Sequence, residues 1–432
     1  MTPAYGLPRF VVETREIEPV DDLLAFASSR SPLAWLRRGD GIVGIGEVGG
    51  YERGPELPPG IDPDSPPSPA ESWRMQAAAA EVDDPVGLPG TGLVAFGTFV
   101  FDERSTATSR LVVPQAVVGR HRGRSWVTRI RSTAARLEEP VIEPIPYGPY
   151  WSGTLGPGSL APAGYQAAVR AAVDAIVAGQ IDKVVLARDL VGTIPAGADL
   201  RRLVRALAHD YPDTWTYAVD GLIGASPETL VTVSHGAVTA RVLAGTIPRG
   251  TDATDDAAAS ASLAHSAKDI EEHRYAVRSV LDTLGPHVRD LRADAEPFTL
   301  ELPNLWHLAT DVAGDIADHA SSLDLVAALH PTAAVAGTPT DAAIEVIRRL
   351  EPFDRGRYAG PVGWVDGDGD GEWAIALRCA QIGSGPVRGY AEFSDTVPVV
   401  AHAGAGIVAA SDPETELLET RVKFRPIVDA IA

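Results

Sequence analysis

The sequence predicts an α/β protein of the α+β kind, with antiparallel sheets covered by helices. Three observations predict it. Short apolar runs of strand length recur through the 432 residues. After residue 160 they alternate with stretches whose apolar residues fall at helical spacing. That alternation builds no regular strand–helix–strand units, so a parallel, doubly wound sheet is not expected.

Residues 1–150 read as short strands and turns, with alternating runs at Gly92–Phe101 and Ser109–Val118. The Pro-, Gly- and Asp-rich stretch Gly54–Pro69 reads as a surface loop, and a second such tract spans Glu138–Leu160. A soft boundary falls there, separating a strand-rich part, 1–150, from a second region, 151–432. Tyr165, Val169, Val173, Ile176 and Val177 then share one helical stripe that Gly179 ends. A strand follows at Ile181–Leu190, a helix at Leu200–His209 and a strand from Trp215. GLIGASPETLVTV reads as strand, tight turn at Ser226-Pro227, strand; Val238–Leu243 is another strand, ending in Ala244-Gly245-Thr246. Ser266 caps a long helix, with Asp269 as its capping-box partner. A strand or turn at Leu302–Val312, short helices at Leu323–His330 and Asp341–Leu350, and paired strands at Pro361–Val365 and Glu372–Ile382 follow. The apolar run VPVV leads to Gly404 and Gly406, and Ser411-Asp412-Pro413 opens the last helix.

Composition narrows the function. Hydrophobic residues are 45% of the chain, enough for a full core. No apolar run approaches the roughly 18 residues of a membrane span. The first residues lack the basic start and apolar block of a secretory signal, and Cys379 is the one cysteine, both pointing to the cytoplasm. A net charge of −21 argues against a nucleic-acid binder. An anionic small substrate remains compatible, given a local cluster of Arg, Lys or a cation.

Two motifs are set aside. Gly44-Ile-Gly46-Glu-Val-Gly49 has the spacing of a dinucleotide loop, but the Gly- and Pro-bearing residues after it cannot form the required helix. Asp366-Gly-Asp368-Gly-Asp370-Gly371 begins like a calcium loop, yet Leu377 stands where a bidentate Glu is needed; a hairpin turn is expected.

The candidate chemistry lies on two helices and three strands. Glu416, Glu419 and Lys423 share a face of the last helix, so the two carboxylates need Lys423 or a metal ion between them. Asp269 and Glu272 share a face of the Ser266-capped helix in the same way. Two such pairs could form an all-oxygen cage suited to Mg²⁺, or could be solvated helix faces. Lys183, inside the apolar run DKVVLAR, either points into a sheet-lined pocket, where desolvation favours the neutral amine of a base, or sits in water on an edge strand. Glu228 follows the Ser-Pro turn, as a poised acid or an ordinary turn residue. Arg378, within the strand AIALRCAQI and facing away from Cys379, needs an anionic partner. His307 reads as a hydrogen-bonded core histidine.

DKVVLAR, GASPETL, LAGTIPRG, SAKDIEEH, LHPTAAVAGTP, RYAGPVGW, AIALRCAQI and AHAGAGIVAASDPETELLETRVK occur in that order. Together they resemble the motifs of the chorismate-utilising enzymes, over roughly residues 160–428. The resemblance implies a four-layer sandwich of two antiparallel β-sheets with helices outside, as in anthranilate synthase component I. It implies Mg²⁺ held by Glu272 and Glu419, with Asp269 and Glu416 behind them. Gly245, Thr246, His307, Tyr358, Arg378, Gly404, Gly406 and Lys423 match substrate-pocket positions, with chorismate as the substrate. Lys183 matches the position where water-using members keep a lysine base and ammonia-using members do not. Glu228 matches a general acid. The expected reaction is conversion of chorismate to isochorismate by a cytoplasmic monomer without an amidotransferase partner. Two alternatives are a salicylate synthase, which also eliminates pyruvate, and a non-catalytic acidic scaffold. The small, apolar Ala333–Ala336 segment speaks for release of isochorismate.

Overall fold

A strand buried on both faces reads as a continuous apolar run, and Lys183–Pro195 does so over its first seven residues. In the computed structural model, which describes residues 9–55, 67–134, 137–383 and 395–432, this strand lies next to the end of a large sheet. It is flanked by Thr154–Pro157 on one side and pairs antiparallel along its length with Thr396–Ile407 on the other. Beyond come Cys379–Ile382, Leu222–Ser226 and Trp215–Val219, then strands of the first 150 residues. A second sheet runs from Val288–Ala293 through Leu305–Ile316, Ala237–Pro248, Thr229–Ser234, Gly371–Ile375 and Pro361–Asp366 to strands that again come from the first 150 residues. Among the described residues the pairing is antiparallel except between Phe10–Ile17 and Glu81–Asp83.

The two sheets pack face to face. Trp35 of the first donates its indole N–H to Glu372 of the second at 2.9 Å. Phe96, Trp126, Tyr217 and Trp373, drawn from both sheets, are fully buried in the shared core. Helices Pro162–Val177, Arg201–Asp210 and Pro413–Ile431 cover the outside of the first sheet; Ala253–His265, Ala267–Leu284 and Ser322–Leu329 cover the second. This is the four-layer arrangement expected. No helix among the described residues is long and apolar enough to cross a membrane.

Four local expectations are corrected. Ser226-Pro227 does not close a hairpin: Leu222–Ser226 belongs to the first sheet and Thr229–Ser234 to the second. Glu372–Ile382 is not one strand either. It breaks after Ile375, crosses between the sheets, and resumes at Cys379, with Arg378 in the left-handed region at φ 49°. A periodicity of two cannot reveal which sheet a strand joins. Helices Pro69–Ala79 and Ala253–His265 were not expected. The first is opened by a Ser68–Glu71 capping box at the edge of the Pro-rich tract, most of which lies outside the described residues. The second is Ala-rich and buries only Leu263, so it has no apolar stripe to read. Because that helix runs to His265, the Ser266 N–H bonds Leu263 carbonyl, and the Ser266–Asp269 capping box is incomplete. Asp269 instead accepts a short hydrogen bond from the Ser266 hydroxyl.

Candidate active site

The two crossings between the sheets run side by side and build one end of a cleft. Ile375 N–H donates to Glu228 carbonyl, Ala225 N–H donates to Arg378 carbonyl, and the Ser226 hydroxyl donates to Ile375 carbonyl at 2.6 Å. Glu228 and Arg378 are thereby fixed where the sheets part. The cleft holds about 570 Å³ of empty space, its open mouth included. Its lining takes in Glu228, Glu272, Arg378 and Lys423, and also Gly245, Thr246, His307, Tyr358, Gly404 and Gly406. Ten of the fourteen residues singled out from sequence thus border one space. Lys183, Asp269, Glu416 and Glu419 stand one layer back.

Lys183 is fully buried, and its Nζ lies 3.3 Å from Glu272 Oε1 with no hydrogen-bond partner. It is not an edge lysine in water, because Thr396–Ile407 and Gly337–Thr338 pair on either side of its strand. Gly406 sits against the same pair: a side chain there would collide with Glu272 Oε1 and come within 3.1 Å of Lys183 Cε. The partner strand Cys379–Ile382 covers Thr396–Ile407 only as far as Ala401, so Gly404 and Gly406 follow on an open edge. Lys423 Nζ donates to Gly404 carbonyl at 2.9 Å on that edge. Gly245, at φ 84°, occupies a bulge between Leu243 and Thr246 where side-chain residues are disfavoured.

The carboxylates are each matched to an amine. Glu272 faces Lys183; Glu419 Oε1 lies 2.6 Å from Lys423 Nζ; Glu416 Oε1 lies 2.7 Å from Lys268 Nζ. Lys423 is thus the counter-ion of Glu419 in this state. Glu416 is completely buried, and burial together with neighbouring Glu419 pushes its carboxyl up to about 7. The Lys268 amine is held above its ordinary value: burial would lower it, but Glu416 at 2.7 Å, with weaker pulls from Glu419 and Glu272, outweighs that. Glu416 Oε2 is buried without a hydrogen-bond partner. No group of three or more His, Cys, Asp or Glu side chains among the described residues forms a ready metal cage.

Glu228 differs from these. It is buried, and desolvation raises its carboxyl to about 7 against the pull of Lys183, Arg378 and Lys423. A carboxyl group in that range can donate a proton at neutral pH. Tyr358 stacks on His402, with ring centres 5.1 Å apart.

Sequence reasoning missed Arg355 and Glu351. Arg355 borders the cleft, is buried, and gives Glu351 two hydrogen bonds of 2.8 and 2.6 Å. Its other hydrogen bonds go to the carbonyls of Val335 and Val185, and Glu351 accepts the Ala187 N–H at 2.7 Å. The pair stands in for a missing strand beside Val185–Ala187. Its sequence signal was the four-residue spacing in EPFDR. Lys268, within SAKDIEEH, was missed as well.

The profile of a family described as chorismate binding enzyme matches residues 152–432. The chain belongs to the chorismate-binding enzyme family. Among its relatives, the protein named MenF in Mycobacterium tuberculosis is 37% identical over 356 residues, 79% of this chain and 87% of the relative. Isochorismate synthase DhbC of Bacillus subtilis is 39% identical over 282 residues, 62% of this chain and 68% of the relative. The structure of DhbC from Bacillus anthracis superposes with a TM-score of 0.73 at 30% identity, covering 95% of this chain and 98% of that one. Anthranilate synthase component I from Streptococcus pneumoniae shares the fold, with a TM-score of 0.65 at 20% identity over 96% of this chain and 92% of that one. For this member of the chorismate-binding enzymes, the fold expected from the motifs is therefore the fold observed.

Proposed function

We propose that the protein is an isochorismate synthase that converts chorismate to isochorismate with Mg²⁺. The observation that carries this reading is two unlike buried groups at and just behind one cleft: Glu228 lines it, and Lys183 stands behind Glu272 of its wall. Glu228 is a buried carboxyl poised near neutrality, and Lys183 is a buried amine without a hydrogen-bond partner. In the proposed reaction Lys183 takes a proton from water as its oxygen bonds to C2 of the ring. Both double bonds of the ring diene shift by one position, the C4–O bond breaks, and Glu228 protonates the departing hydroxyl as water. One water enters and one leaves, so the sum is an isomerisation. A carboxyl kept neutral by burial suits the acid's half of this division of roles.

Arg378, Tyr358, Lys423 and the open edge at Gly404–Gly406 are the proposed receptors for the substrate carboxylates, supported by their place on the cleft. Glu272 and Glu419 would hold Mg²⁺, with Asp269 and Glu416 supporting. The donors are all hard oxygens, and the unpartnered Glu416 Oε2 fits a cation site. The ion would supply positive charge for the ring carboxylate. The apolar wall at Ala334 and Val335 offers no polar group to assist a further elimination. We take the enzyme to act as a cytoplasmic monomer without an amidotransferase.

Purified protein with chorismate and Mg²⁺ tests the reading. Isochorismate is the expected product; salicylate and pyruvate as main products would make it a salicylate synthase. Lys183→Ala and Glu228→Gln should lose turnover, by about 10²–10⁴-fold, while staying folded. A folded parent protein without turnover would favour the scaffold reading.

A further inference from the structure

Arg378 and Thr246 approach one imidazole from opposite sides. Arg378 Nη2 lies 3.1 Å from His307 Nε2. On the other side, His307 Nδ1 is 3.0 Å from Thr246 Oγ1 and 3.2 Å from Gly245 carbonyl oxygen. A guanidinium has only donors, so Nε2 must be the accepting nitrogen and the ring hydrogen must sit on Nδ1. The Gly245 carbonyl can only accept, which fixes the same tautomer from the other end. The consequence reaches Thr246. Its hydroxyl cannot donate to a nitrogen that already carries hydrogen, so its oxygen faces the ring and its hydrogen is free to point elsewhere. Thr246 is half-buried and borders the cleft. A proton on Nε2 would be set against the guanidinium, with Lys423 adding like charge; the Glu228 carboxyl borders the same cleft and acts on Arg378.

We infer that His307 is a positioning residue that takes no proton during the reaction and aims the Thr246 hydroxyl into the cleft as a donor to a substrate oxygen. The identity of that oxygen's owner rests on the chorismate reading; the direction of the chain does not.

Two measurements test it. Long-range ¹H–¹⁵N correlation spectra of the full-length protein labelled at histidine report the tautomer. His307 should keep its hydrogen on Nδ1 from about pH 5 to 8. A hydrogen on Nε2, or titration in that range, would overturn the inference. In kinetics, Thr246→Val should lower kcat/KM by about tenfold, the worth of one donor. His307→Leu should lower it similarly, and the double variant should lose little more than either single. His307→Gln, which can accept from Arg378 and donate to Thr246, should recover most of the loss. Multiplying losses in the double variant, or no effect of Thr246→Val, would sink the inference. The two readings fail separately. An Nδ1–H tautomer in a parent that does not turn over chorismate upholds the chain's direction and refutes the reaction. An Nε2–H tautomer in an active parent refutes the direction alone.

Discussion

Gly406 stands directly behind Glu272, leaving no room for even a methyl group between the main chain and the Glu272 carboxylate. A side chain at 406 would therefore meet the protein's own carboxylate before any ligand. Gly406→Ala is expected to displace the carboxylate and lower kcat/KM by about a hundredfold, the cost typical of small misplacements at a reacting centre. Steady-state kinetics with a Mg²⁺ titration checks this; parent-like kinetics would show that Glu272 can shift without consequence.

Glu228 links activity and stability to pH. Its folded carboxyl is raised from 4.5 to about 7, so the folded state prefers the neutral acid. The stability this group contributes is complete below its ordinary value of 4.5 and is lost as pH rises through about 7. The loss on that one group is on the order of 3 kcal/mol. Denaturant melts at either end of that range should show Glu228→Gln gaining on the parent at the alkaline end. Turnover by the parent should fall above about pH 7 as the acid ionises. A pH-independent difference between the two proteins would contradict the assignment.

The proposed ligand order separates two neighbours on one helix. Asp269→Asn should weaken the Mg²⁺ dependence of turnover by about 10–100-fold, and Glu272→Gln by distinctly more. Equal effects would mean that the ligand and its support have been assigned wrongly.

Arg355 and Glu351 test the fold rather than the chemistry. Arg355→Met leaves a buried carboxylate without its partner and should cost about 3–5 kcal/mol. Replacing Glu351 with Leu as well should restore only part of that, because the Ala187 N–H and the Val185 and Val335 carbonyls then lose their partners. Thermal melts of the single and double variants decide; equal melting of the two would show that Glu351 is satisfied by Ala187 alone.

What the sequence made legible followed local rules. The Lys183 strand, the Ser266 helix start and the last helix carry apolar periodicity or a capping residue. The motif order placed Glu228, Arg378 and His307 in one site before any distance was known. What stayed hidden depends on contacts distant in sequence. Nothing local shows that Ser226-Pro227 and Ala376–Arg378 leave one sheet for the other. The Arg355–Glu351 pair is legible as a spacing, but its use in place of a strand is not. An Ala-rich helix such as Ala253–His265 offers propensity without pattern.

Strands from the first 150 residues pair with Trp215–Val219 in one sheet and with Pro361–Asp366 in the other. The family profile covers 152–432, yet strands from outside that span complete both sheets. Cutting there would bare a strand edge in each sheet and the indoles between the sheets, surfaces that recruit other chains. A fragment beginning at residue 152 should precipitate or run as aggregate in size-exclusion chromatography, whereas a soluble, monodisperse fragment would contradict this. The part of the chain that resembles its relatives least by motif is thus a partner in folding that cannot be traded away, and inheritance of the chemistry carries the whole scaffold with it.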